Sequence, residues 1–359
     1  MEATSASMKK TLEFAKTVVA TGGRAAAPPI EGLEETGYLT NETVFSLTAL
    51  PGRLLVIGAG PIGVELSQAF ARFGASVHLL AANQILIRED RDAAERVENA
   101  LRRDGVQIVS GCNITKVFRE NGAKVVELEC AQECQVVTVD EILVAVGRAP
   151  NVEGIGLESA GVDYDSRKGI VIDDHLQTTN QKIFAAGDCC FQYKFTHTAD
   201  ALARIVIQNA LFGFPFMKKR ASALTIPWCT YTDPEIAHVG MYERDARAKG
   251  ISVRTIVQEL KDVDRAILDG EDDGFVKIHV KDGSDRILGA TIVAAHAGDM
   301  ISELTLAMNA GAGLGAIAST IHPYPTQAEA IKKAGDALNR SRLTPTVKRL
   351  FARWLAWTR

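Results

Sequence analysis

No apolar run in the 359 residues reaches the length of a membrane span, and Met1 to Lys16 mixes Glu, Ser and Lys where a signal peptide would need a continuous apolar core. A cytoplasmic protein is expected. No sign of charge dominates, because 40 basic residues stand against 44 acidic ones for a net charge of −4, and a chain so balanced advertises no nucleic-acid partner. Cysteine is sparse: Cys112, Cys130, Cys134, Cys189, Cys190 and Cys229 lack the dense, even spacing of a secreted disulfide scaffold. Reduced thiols are expected throughout. Cys130 and Cys134 straddle a turn and read as plain packing, and the vicinal pair Cys189-Cys190 reads as inert, since adjacent cysteines suit disulfide geometry poorly. No Cys and His cluster has zinc spacing, so no metal is expected. Internal repeats and low-complexity stretches are absent too. What remains is 47% hydrophobic and 23% charged, the composition of a globular chain of about two or three domains.

The most informative segment is Leu54-Leu55-Val56-Ile57-Gly58-Ala59-Gly60-Pro61-Ile62-Gly63-Val64-Glu65. A β-prone apolar run enters three spaced glycines and leaves as an amphipathic helix, the context in which GxGxxG binds a dinucleotide. Gly58 permits the tight turn, Gly60 has no Cβ to block phosphates, and Gly63 lets helix and strand approach closely. The helix N-terminus adds free N–H donors and a positive dipole end for a pyrophosphate.

Along the chain, residues 12–24 form a β-prone run ending in Thr21-Gly22-Gly23, followed by a linker over 25–51. From Arg53 to Gly147 the pattern predicts strand, helix, strand, a helix over Arg91 to Arg103, three short strands and a buried strand from Glu141. Asn121-Gly122 is the strongest hairpin signal. Next, Ile183 to Ala186 delivers Gly187 and Asp188 at a strand end, and a helix is predicted over Thr198 to Leu211. From Leu224 to Asn339, strands alternate with helices over Asp299 to Ala310 and Thr326 to Leu338. The small residues of the first helix suggest a dimer surface. The tail from Thr344 to Arg359 reads as a basic amphipathic helix, a pattern that suits a membrane surface, although docking on its own protein is the expectation.

Ala20-Thr21-Gly22-Gly23-Arg24, the GAGPIGVE segment, Val146-Gly147-Arg148-Ala149-Pro150-Asn151, Ala185-Ala186-Gly187-Asp188 and His322-Pro323-Tyr324-Pro325-Thr326-Gln327-Ala328-Glu329 occur in one order. In that order they resemble the flavin-dependent pyridine nucleotide-disulfide oxidoreductases, most of all the mercuric reductase and dihydrolipoamide dehydrogenase branch. The resemblance implies an α/β fold: a Rossmann-like NAD(P)-binding domain over 52–148, a remnant of an FAD-binding domain split between 1–51 and 149–223, an α+β dimerisation domain over 224–343, and the tail over 344–359. It also implies an oxidoreductase in which NAD(P)H gives hydride to FAD, electrons passing on to a small-molecule acceptor, in a homodimer. Carried onto this chain, Gly58, Gly60, Pro61, Ile62 and Gly63 would hold the nicotinamide cofactor, with Gly147 bordering it. Thr21, Gly22, Gly187 and Asp188 would contact the flavin, and Glu65 would lie near the flavin ring. His322, Tyr324 and Glu329 would form the catalytic group.

The departures from the family pattern bear on activity. Relatives carry an FAD glycine fingerprint and a Cys-x4-Cys pair ahead of the segment where this chain starts, and no Cys-x4-Cys occurs here, so weak flavin retention and an inactive, truncated chain are expected. Tyr324 stands where dihydrolipoamide dehydrogenases place their acid/base histidine. A tyrosine titrating near 10 in water cannot shuttle protons at neutral pH as imidazole does. Mercuric reductases also place tyrosine there, which turns the reading toward a metal or another non-thiol acceptor. NAD and NADP are not separated, because the second strand ends in Ala81-Ala82-Asn83 with neither an acid nor an arginine, and Arg88 is the nearest substitute. Two rival readings are a non-catalytic NAD(P)-binding homodimer or sensor, and a flavin-free dehydrogenase that would need an acid/base at the nicotinamide.

Overall fold

The computed structural model describes residues 2–5, 8–130, 134–214 and 216–358. Two compact units emerge, Met1–Pro28 with Val146–Leu224, and Pro29–Ala145 with Thr225–Arg359.

In the larger unit a four-stranded parallel sheet runs in the order Glu141–Val144, Arg53–Ile57, Ser76–Ala81, Gln107–Ser110. Both faces of its strands are covered, so Leu54, Leu55, Val56, Val77, Leu79, Ile142 and Leu143 are buried without the alternation of a half-exposed sheet. The chain moves outward from Arg53–Ile57 on one side and returns to pair with it on the other. Strand order therefore reverses at Arg53–Ile57, which is where open α/β sheets leave a crevice for ligands. The helix Arg91–Arg103 forms over the predicted residues because Asp90 caps it, its carboxylate accepting the Asp92 N–H at 3.1 Å, while Ala93, Ala94, Val97, Ala100 and Leu101 make one buried stripe.

Among the described residues four strands, not three, lie between that helix and Glu141. Gly111, at φ 73°, separates Gln107–Ser110 from Cys112–Glu120 and turns one apparent run into two. Cys112–Glu120, Ala123–Cys130 and Cys134–Val139 form an antiparallel meander. Asn121 and Gly122 both have positive φ, 49° and 86°, as a two-residue hairpin turn of the primed type requires. The expectation of reduced thiols fails in this meander: Cys112 and Cys130 face each other across it and are joined in a disulfide. The Cys130–Cys134 turn over 131–133 lies outside the described residues. The expected linker is also better packed than its composition suggests, because Leu33 and Val44 are buried and Leu39 N–H donates to Ile142 O at 2.7 Å.

A five-stranded antiparallel sheet follows in the order Pro227–Thr230, Glu235–Gly240, Ile287–Ala294, Phe275–Lys281, Val253–Glu259. Helices Ala297–Asn309, Leu314–Ser319 and Glu329–Ser341 share its core through Ala297, Ile301, Leu304, Leu314, Ile331 and Leu338. One face of Ala297–Asn309, with Ala297, Ile301, Leu304 and Ala307, packs into that core, while Ser302 and Leu306 lie on its exposed side. The short helix Leu314–Ser319 had no periodic signal long enough to predict it.

The smaller unit is built of short pieces. Thr17–Val19 pairs in parallel with Ile183–Ala185, Gly23–Ala25 pairs antiparallel with Arg148–Pro150, and the helix Thr196–Phe212 buries Leu202, Ile205 and Val206 against Phe184 and Leu176.

The tail is a helix over Pro345–Trp357, as its pattern predicts, but within its own subunit it stays largely exposed. None of its residues is buried.

Candidate nucleotide-binding and redox site

The Arg53–Ile57 strand delivers its glycines to the reversal point of the parallel sheet. Gly58 sits at φ 105°, where a side chain is strained, and its N–H donates to Leu80 O at 3.0 Å. Gly60 is the N-cap of the Pro61–Arg72 helix, and Pro61 occupies the first position, where its missing N–H costs nothing. A Cβ added to Gly63 would stand 1.8 Å from the Gly58 carbonyl oxygen, so strand and helix can meet this closely only over glycine. A Cβ on Gly60 would meet nothing within 4 Å. The two glycines therefore do different work: Gly63 closes the turn, and Gly60 leaves the space before it clear.

Among the described residues no side chain caps this helix, so its first amides keep their donor capacity. These features fit a dinucleotide pyrophosphate, with the Gly60 to Gly63 backbone and the helix dipole as its cradle and Pro61 and Ile62 at the rim. The loop after the second strand closes over the turn, Leu86 N–H donating to Ala59 O at 2.9 Å. From the first residue of the next helix, Arg91 donates to Gln84 of this loop at 3.1 Å, while Arg88 offers its carbonyl to Arg244.

Glu65 lies two residues beyond Gly63. Its carboxylate accepts the Tyr231 N–H at 2.8 Å, and burial pushes its pKa up while that bond opposes the shift. Cys229 stands near it, with Glu235 accepting from the thiol at 3.8 Å; burial, then the charges of Glu235 and Glu65, push this thiol up, so it stays protonated at neutral pH.

In the smaller unit, Asp188 follows Gly187, which has φ 82°, at the end of the Ile183–Ala185 strand. Its carboxylate accepts from Arg148 at 3.0 Å, and its carbonyl accepts from Lys194 at 2.5 Å. Gly23 is required beside it, since a Cβ there would come within 3.3 Å of the Asp188 Cβ and 2.9 Å of Ala149 O. Thr21 donates to Asn151 O at 2.6 Å, Gly22 sits at φ 69°, and the Gly147 carbonyl accepts the Ala26 N–H at 3.0 Å. Cys189 and Cys190 are free and buried, each donating to a backbone carbonyl behind it.

His322, Tyr324 and Glu329 each engage a different partner. His322 Nε2 lies 3.0 Å from Glu303, and its Nδ1 lies 3.1 Å from Thr320 O. Tyr324 is 68% exposed and donates to Asp264 at 2.7 Å, a bond that pushes its hydroxyl above the ordinary range. Glu329 meets Lys333 at 3.8 Å, and its Oε2 is buried with no partner among the described residues. An acid/base relay needs these groups bonded to one another, and within this one subunit they are not.

One buried cluster escaped the sequence reading. Glu89, in the loop closing the glycine turn, accepts from Trp228 Nε1 at 2.9 Å and from Tyr242 OH at 2.6 Å, and the Tyr242 ring stacks on His238 with centroids 3.7 Å apart. Burial pushes Glu89 up and His238 down to about 3. Glu89 sits next to a helix cap, where carboxylates are usually solvated, and its partners lie 139 and 153 residues away.

Residues 2–203 match the family model described as pyridine nucleotide-disulphide oxidoreductase, and 226–335 match that family's dimerisation domain. Proteins named mercuric reductase are 36% identical over 88% of the chain in Bacillus cereus and 35% identical over 90% in Streptomyces lividans. The chain spans 50% of the Bacillus cereus protein and 59% of its Lysinibacillus sphaericus counterpart, about half the length of these curated relatives. Among solved structures, the HOCl-induced flavoprotein disulfide reductase RclA from Escherichia coli, as a Cu(II) complex, superposes with a TM-score of 0.85 at 28% identity, covering 94% of this chain and 75% of that one. LpdA from Mycobacterium tuberculosis gives 0.85 at 27% identity, covering 94% and 72%. By the family model over more than half its length, this chain belongs to the pyridine nucleotide-disulphide oxidoreductase family.

Proposed function

We propose that this chain carries the NAD(P)H-binding and dimer-forming parts of a flavoprotein reductase of mercuric reductase type, which passes electrons from NAD(P)H through FAD to a small acceptor. The observation that carries this reading is the glycine turn: Gly63 locks the Pro61–Arg72 helix against Gly58, while the uncapped helix start opens onto clear space at Gly60. When bound, the nicotinamide supplies a hydride. This chain's own part is to fix the pyrophosphate on backbone amides, so that the ring end is presented in one orientation. Thr21, Gly22, Gly187 and Asp188, all in the smaller unit, are the residues to which this reading gives flavin binding. The match to the dimerisation domain supports a homodimer, and the cytoplasm is the compartment this reading assigns.

Anaerobic mixing of the purified chain with FAD and NADPH tests the reading. Protein-dependent bleaching of the flavin absorbance would support transfer through FAD in this chain. The separate partners of His322, Tyr324 and Glu329 favour a second reading, an NAD(P)-binding homodimer without catalysis. Tight NADPH binding with no bleaching would select it.

A further inference from the structure

We propose that the Pro345–Trp357 helix is an interfacial anchor that lies on a membrane surface rich in anionic lipid. The helix is a complete element, begun by Thr344, whose hydroxyl accepts the Val347 N–H at 3.3 Å, and by Pro345 at its first position. Val347, Leu350, Phe351, Trp354 and Leu355 follow the i, i+3, i+4, i+7, i+8 spacing of a single helix face, and Trp357 extends it one turn beyond Trp354. That face is largely exposed in its own subunit: Leu350 is 65% exposed, Trp354 56% and Trp357 83%.

Charge decides what covers the face. Lys348, Arg349 and Arg353 fall on the opposite side of the helix, Arg340 and Arg342 precede it, and no acidic residue follows Asp336 in the sequence. This local excess of positive charge stands on a chain whose net charge is −4. An anionic bilayer meets both requirements at once, because headgroups pair with the basic side while the apolar side enters the acyl boundary, where tryptophan is preferred. A second copy of this chain would have to offer an apolar groove rimmed by carboxylates. The dimerisation match also ends at residue 335, ahead of the tail. At 13 residues the helix is too short to span, so it lies in the interface plane.

Sedimentation of the full chain with vesicles tests the anchor, using phosphatidylcholine alone and phosphatidylcholine with roughly a third phosphatidylglycerol. Expected is pelleting with the anionic vesicles, at least about tenfold weaker with phosphatidylcholine alone, and falling as salt is raised. The double variant Leu350→Asp/Trp354→Asp should lose binding, and Arg349→Glu/Arg353→Glu should lose the preference for anionic lipid. All of these positions are exposed, so circular dichroism should show the core unchanged. Equal pelleting of native and variant chains would overturn the proposal. So would failure of the native chain to bind vesicles, whether or not Leu350→Asp/Trp354→Asp turns a dimer into a monomer; the change to monomer would assign the face to a second copy.

Discussion

Gly60 and Gly63 are three residues apart and should answer substitution in opposite ways. A side chain at Gly60 enters open space, so Gly60→Val should fold normally and fail only in binding. Gly63→Ala drives a methyl into the Gly58 carbonyl and should lower stability by about 2–3 kcal/mol, read as a shift in the urea midpoint. Equal stability of Gly63→Ala and the native chain would contradict the close packing. Glu89 makes a pH prediction. Burial raises its pKa above the ordinary 4.5, so the folded protein holds this proton more tightly than the unfolded chain does. The stability it contributes is fully present below 4.5 and is lost as pH rises through the raised value. Thermal midpoints of native protein minus those of Glu89→Gln should therefore fall as pH rises from 4.5. A flat difference would show that the carboxylate is not desolvated. The role of the glycines was legible in the sequence because it is local: turn, helix start and close approach are set within six residues. The Glu89 cluster was not, because only the tertiary fold brings Trp228 and Tyr242 to it.

Among the elements, the Arg91–Arg103 helix was legible to the residue, since its cap and its buried stripe are both local. The disulfide was not. Counting back from the Asn121-Gly122 turn, Ala123 pairs with Glu120 and Glu127 with Lys116, and continuing that register would set Cys112 against residue 131. A bulge between Ile114 and Lys116 shifts the pairing by one, and Cys112 then faces Cys130. The bond closes a sequence separation of 18 residues, so Cys112→Ser should cost about 3 kcal/mol under oxidising conditions on the chain-entropy account. Reductant added to the native chain should remove the same amount and leave Cys112→Ser unchanged; a native chain indifferent to reductant would exclude the bond. The tail helix was legible, and what covers its face was not, for a different reason. Amphipathic periodicity reports that a face will be covered, not what will cover it.

At the scale of the molecule, the parallel sheet, the meander and the five-stranded sheet with its helices form one unit, so the glycine turn and the dimerisation segment share a scaffold. The order of motifs along the chain was enough to expect the α/β fold, though not the joining of these parts in one unit. The route of the small-residue helix was not legible, because a face of Ala and Leu fits an internal core and a subunit interface equally well, and the sheet of its own subunit claims it. Dimerisation should therefore use surfaces other than that buried face. Leu304→Ala, a core truncation, should cost about 2–5 kcal/mol in unfolding experiments without changing the sedimentation coefficient of the folded protein. A change of oligomeric state with no loss of stability would place Leu304 at the interface instead. The nucleotide turn is the claim on which the other functional assignments stand, and an equilibrium titration of native protein and Gly60→Val with NADPH and with NADH addresses it directly. Saturable binding by the native chain is expected, and at least about a hundredfold weaker binding by a folded Gly60→Val, because one side chain occupies the phosphate path. Equal affinity in the two proteins would contradict it.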